Sequence, residues 1–177
     1  MNKFVQHILV IPGDEADREI AGGFVNHERV DDRRIQVVPV ARGWPNVLTT
    51  FEDEYIPRLR KYPLGHVVML VDFDDQGVVR MARFQQVIPD DLTGRVFVVG
   101  SSRNPEALKD ALRLSAEQIG WQLAEDCALG GAGLWQHEQL QHNAGERERL
   151  ATAVQAFLLS WPAFSSGTNS NVVRRTG

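Results

Sequence analysis

The sequence predicts an α/β fold: a three-layer domain with a mostly parallel four-stranded sheet, followed by an α-helical carboxy-terminal extension. Three observations carry that expectation. Four short apolar, β-branched-rich runs, Phe4–Ile11, Ile35–Val40, His66–Val71 and Arg95–Val99, are each followed by a helical pattern. The third run is continuously apolar rather than alternating, as in a strand covered on both faces. After Asn104 only helical patterns remain. Strands alternating with helices build βαβ units with right-handed crossovers, hence a parallel sheet between helical layers.

Each element has a local reason. The first run stops at Pro12-Gly13, and Asp14-Glu15-Ala16-Asp17 opens a helix to about His27, with acids at the positive end of its dipole. The second run contains Pro39, which marks an edge or bulged strand. Val47, Leu48, Phe51, Tyr55 and Leu59 recur at helical spacing between Pro45 and Lys61, with Pro57 kinking that helix or starting a new one. A helix over 78–87 precedes the fourth strand. Asn104-Pro105-Glu106 is a helix start with a capping amide and a proline in the first turn. Further helices are expected over 105–112, 115–127 with a Ser115/Gln118 capping box, 134–142 and 146–159. The expected organisation is an α/β core over 1–103, a helical extension packed on it over 104–164, and a disordered polar tail over 165–177.

Composition narrows the function. A chain of 177 residues, 43% hydrophobic and 24% charged, buries roughly 70% of its unfolded surface and needs no disulfide or structural metal to hold a core. Its single cysteine, Cys127, excludes an internal disulfide and points to a reducing, cytoplasmic setting. No apolar run approaches the ~18–20 residues of a membrane span, and the amino terminus does not read as a signal peptide. Nineteen basic against 23 acidic residues, a net charge of −4, argue against broad phosphate-backbone binding.

Chemistry in an open parallel sheet is expected outside the carboxyl ends of the strands. The loops there are crowded with acids. Asp14, Glu15 and Asp17 follow the first strand, and Asp72, Asp74 and Asp75 the third. If those strands are neighbours, up to six carboxylates converge, and such a cluster binds a cation or protonates in part. Mg²⁺ or Mn²⁺ is the cation that suits several carboxylates, waters and a substrate phosphate. The bland reading makes the same acids helix caps and turn residues. Against it, Asp72 directly follows an unbroken apolar strand, where a charge is expensive unless used.

A hydrophobic strand, a turn with glycine and acids, and a later strand ending in Asp72-x-Asp74-x-x-Gly77 resemble the Toprim domain of topoisomerases, bacterial primases, recombination-mediator proteins and overcoming-lysogenization-defect nucleases. The resemblance spans about residues 4–99. It implies Mg²⁺-dependent phosphodiester chemistry on nucleic acid, with Asp72 and Asp74 as metal ligands. The family's first-strand glutamate corresponds to Pro12 here, and Asp14 or Glu15 stands in as the third carboxylate, to hold metal or activate water. Arg42 and Arg103, after the second and fourth strands, are candidate phosphate ligands. The alternative is a catalytically inactive Toprim-like interaction or regulatory protein, with a protein partner on 104–164. The acidic charge favours service within a larger assembly.

Other constellations read more weakly. A receiver domain would need a fifth strand ending in lysine, which is missing after Asn104. Gly100-Ser101-Ser102-Arg103 lacks the spacing and lysine of a P-loop. His137 and His142 stand five apart, roughly 140° around a helix, so they do not share a zinc; with Trp135 they offer a stacking surface at most.

Overall fold

The computed structural model describes residues 3–159. Four parallel strands, β1 (His7–Pro12), β2 (Ile35–Val37), β3 (Gly65–Leu70) and β4 (Val96–Val99), lie in the order β2-β1-β3-β4. Ile8 stands opposite Ile35 on one side and His66 on the other, and Val67 opposite Val96. The α/β expectation holds. β2 is an edge strand, as Pro39 implied: Val38 still donates to the Val10 carbonyl at 2.9 Å, and Pro39 then has no N–H with which to continue. β1 begins three residues later than the apolar pattern suggested, because its partner β3 starts only at Gly65, opposite His7.

The helices are α1 (Glu15–Val25), α2 (Trp44–Thr50), α3 (Ile56–Lys61), α4 (Gly77–Val87), α5 (Pro105–Leu112), α6 (Ala116–Ala128) and α7 (Ala144–Leu158). On one face of the sheet, Leu9, Ile11, Met69 and Val98 pack under α2, α3 and α4 through Val47, Leu59 and Phe84. On the other, Ile8, Val10, Val68 and Phe97 meet Ala21 of α1, Ala124 of α6 and Val154 of α7. The stretch expected as one helix over 45–61 is broken by a π-helical turn at Phe51–Tyr55, and Pro57 lies in the first turn of α3. Proline cannot donate into the helix and its ring crowds the carbonyl four residues back, so the wider turn absorbs it.

Helices α1 and α6 touch backbone to backbone. A Cβ on Gly23 would stand 2.0 Å from the Glu117 carbonyl oxygen, and one on Gly120 1.9 Å from that of Ile20. Only glycine permits this approach, and it fixes the helix that carries the first acidic loop.

The helix expected over 134–142 is absent. Two single 3-10 turns, Gly133–Gln136 and Gln141–Asn143, stand there instead. The Asp126 carboxylate takes the Leu134 N–H at 2.6 Å, and Ser102 donates to the Gln139 carbonyl at 2.9 Å. Those bonds hold the segment against neighbouring loops and compete with a helical ladder. The tail over 165–177 and the end of the extension lie outside the described residues.

Among the described residues no fifth strand pairs with β4. Side chains at the start of α7 do that work: Glu146 accepts from Val98 N–H at 3.1 Å, and Arg149 donates to the Thr93 and Val96 carbonyls. Asn143, 1% exposed, accepts from Gly100 N–H at 3.1 Å and returns its own N–H to the Gly100 carbonyl at 2.8 Å. Asn143→Ala leaves both buried Gly100 groups unpaired and is expected to cost about 2–4 kcal/mol in urea denaturation, with Asn143→Asp intermediate because it keeps the acceptor. A loss below about 0.5 kcal/mol would mean that the edge finds other partners.

Candidate functional site

The order β2-β1-β3-β4 reverses direction between β1 and β3, which opens a crevice at their carboxyl ends. Asp14 and Asp17 enter it from β1, and Asp72 from β3. Asp14 caps α1, its Oδ1 accepting from Asp17 N–H at 2.8 Å. That bond sets the first turn so that Asp17, three residues on, faces inward. Asp17 is only 2% exposed, and its Oδ2 has no hydrogen-bond partner.

A buried carboxylate without a partner is costly as an anion. Burial pushes the Asp17 pKa well above the ordinary carboxylate value; Asp14 and then Asp72 add to the rise, while the backbone amides of Gly13 and Asp14 oppose it. Asp72 is raised too, by burial first, with Arg80 opposing and Asp14 and Asp74 reinforcing. Two acids in one crevice, both held above their usual range, are a pattern typical of sites that work on protons or cations. A cavity of about 30 Å³ lies against Asp17, Gly100 and Ser101, enough for one water.

Arg80 of α4 organises the Asp-x-Asp loop. Only 7% exposed, it donates to the Asp72 carbonyl at 2.8 Å and to Asp74 Oδ2 at 3.1 Å, with the Asp72 carboxylate 3.9 Å away. Its guanidinium lies 5.4 Å from the centre of the Trp44 ring. Asp74 and Asp75 both have left-handed backbone, at φ 46° and 56°. Aspartate tolerates that region better than most residues. The turn is held by Phe73 N–H to the Ser101 carbonyl at 2.8 Å and Asp75 N–H to that of Ser102 at 2.7 Å.

No family model, curated protein or solved structure matches this chain. The site therefore rests on its own geometry. Of the residues singled out in the sequence, Asp14 and Asp72 reach the crevice together. Glu15 is exposed and pairs with Arg18. Asp74 is more than half exposed and engaged by Arg80. Arg103 pairs with Asp75 at 3.5 Å. Arg42 is exposed on the loop whose Gly43 N–H bonds the Gly13 carbonyl at 2.7 Å, and it makes no ion pair among the described residues. His142 sets its ring against the edge of buried Phe73, with centroids 5.2 Å apart. Trp135 turns inward, its Nε1 donating to the Leu123 carbonyl at 3.3 Å. Among the described residues no three His, Cys, Asp or Glu side chains form a group able to hold a metal ion.

Two residues matter more than their sequence context suggested. Asp17 stood out only as one acid among six, although Asp14-x-x-Asp17 across a helix start already places the second acid one turn above the cap. Arg80 gave no signal, being eight residues beyond Asp72 and surrounded by valines and a methionine. Asp17 supplies a test with a definite sign. A carboxyl whose folded pKa is raised favours folding below its unfolded value, about 3.9, and that contribution is lost as pH climbs through the folded value. Asp17→Asn, neutral throughout, should melt at the wild-type temperature near pH 4 and progressively above it toward pH 8. Parallel melting curves across that range would show Asp17 to be unstrained.

Proposed function

We propose that the crevice between β1 and β3 binds a Mg²⁺-type cation and serves phosphodiester chemistry on nucleic acid, the activity that the Toprim-like motif implies. The observation that supports this reading is the buried Asp17 carboxylate, with an unpartnered Oδ2, flanked by Asp14 and Asp72. Mg²⁺ is usually held by one or two carboxylates, waters and substrate phosphate, so Asp17 with Asp72 meets its needs without a third protein carboxylate. Asp74 fits less well than its motif suggests, because Arg80 occupies its Oδ2.

A bound cation would supply charge neutralisation at the phosphate and a more acidic water. The chain's own groups do the rest. Arg42, exposed and without an ion pair among the described residues, binds a phosphate oxygen at the rim. Arg80 holds the Asp72 backbone so that its carboxylate faces the crevice. Asp14, fixed by its cap, accepts a proton from water at that edge.

The second reading, an inactive interaction or regulatory domain using the helices from 104 onward, is favoured by one observation. Arg80 already neutralises the Asp-x-Asp loop, which lowers its need for a cation. No helix among the described residues is long and apolar enough to cross a membrane.

Calorimetric titration of Mg²⁺ and Mn²⁺ into the full chain separates the two. Saturable binding is expected for the wild type and for Asp74→Asn, and loss of it for Asp17→Asn and Asp72→Asn. EDTA-sensitive cleavage of DNA or RNA should follow the same order. Negligible heats in the wild type would favour the second reading, and binding that depends on Asp74 but not on Asp17 would move the site out of the crevice.

A further inference from the structure

A second, larger cavity lies on the same face of the sheet as α1, and Leu70, Val99 and Leu123 separate it from the small cavity beside Asp17. It has a volume of about 590 Å³, within the range of small-molecule sites, in a protein class whose interiors rarely leave voids larger than a water. Its floor is the sheet, at Val10, Val68 and Val99, and its walls are Phe24 of α1, Leu123 of α6 and one side of α7.

Its shape restricts the occupant. The lining residues of α7 run from Ala144 to Leu158, about 21 Å at 1.5 Å per residue. A helix about 10–12 Å across would fill 590 Å³ within about 5–8 Å of its length, little more than one turn. A partner helix does not fit, whereas a single extended hydrocarbon chain does.

Its charge restricts the occupant further. Among the described residues Arg147 is the one cation that lines the cavity, half-buried, with its guanidinium 6.0 Å from the centre of the Trp135 ring and without an ion pair. Glu148 also lines the cavity, the one carboxylate among the described residues to do so, but it is exposed. Burial pushes the neighbouring Cys127 thiol up to about 11, so that wall carries no charge at neutral pH. An apolar cavity whose cation is half-buried and without an ion pair, toward its Trp135 end, while its one carboxylate is exposed, matches a molecule with a long tail and one anionic head.

We propose that this cavity binds an unbranched alkyl carboxylate, its chain lying along α7 and its head group on Arg147. The site shares none of the crevice acids, so the proposal stands whether or not the cation reading does.

Titration of dodecanoate, below its micellar concentration, into the full chain tests this, with 1-dodecanol as the neutral control. Saturable one-to-one binding of dodecanoate is expected, weakened roughly tenfold in Arg147→Gln, with the alcohol bound equally by both proteins. Ala151→Trp, which fills the channel from α7, should abolish binding of both ligands, and Thr152→Leu provides a milder filling variant if the tryptophan disturbs folding. Absence of saturable binding to the wild type overturns the proposal. So does equal dodecanoate affinity in wild type and Arg147→Gln, or binding that survives both filling variants. Binding seen only after truncation at Leu159 also overturns it, because the chain's own terminus would then be the occupant.

Discussion

The right-handedness of parallel crossovers is the constraint on which this molecule is built. From β1 the chain moves outward to β2 in one direction, then back across β1 to β3 and on to β4 in the other. With one hand allowed, the first connection must lie on one face and the later ones on the opposite face. That sends α1 to one side and α2, α3 and α4 to the other, and it parts the loops after β1 and β3 where a ligand can enter. The acids of both loops meet there because the topology leaves them no other place. The backbone contact of Gly23 and Gly120 then locks α1, so Asp17 cannot withdraw from Asp72 by sliding its helix.

The crevice holds free energy that folding alone does not need. An unpartnered carboxylate and a second raised acid weaken the native state at neutral pH, and hydrophobic contacts elsewhere offset them. The same groups become favourable once a cation or a proton joins them. Arg80 works in the opposite sense. It settles the Asp-x-Asp turn in the absence of any ligand, so the two left-handed aspartates keep their geometry while the deeper acids keep their frustration.

Much of this was legible in the sequence, for physical reasons that differ by element. The unbroken run from His66 announced a doubly covered strand, Pro39 announced an edge, and Asn104-Pro105 and Ser115/Gln118 announced helix starts, because each signal is local. The segment over 134–142 misled, since its leucines and tryptophan can satisfy a helix or pack as a strap, and the bonds that decide are to Asp126 and Ser102, distant in sequence. The site divided in the same way. Asp14 and Asp72 were readable from strand ends, whereas the importance of Asp17 lies in burial and that of Arg80 in a contact across a turn, neither of which a linear pattern records.

The treatment of the sheet margins bears on how this chain meets other chains. An open strand edge is a template on which foreign strands polymerise, and proteins block it by shortness, proline, charge or cover. Here β2 is three residues long, ends just before Pro39 and follows Arg33 and Arg34. The far margin is sealed by Glu146, Asn143 and Arg149, whose bonds occupy the positions an incoming strand would claim. Strand addition at either margin is thereby discouraged, and assembly with copies of itself or with partners is left to helical faces. Loosening the amino end of α7 would reopen one margin and turn a stable domain into a nucleus for fibrils.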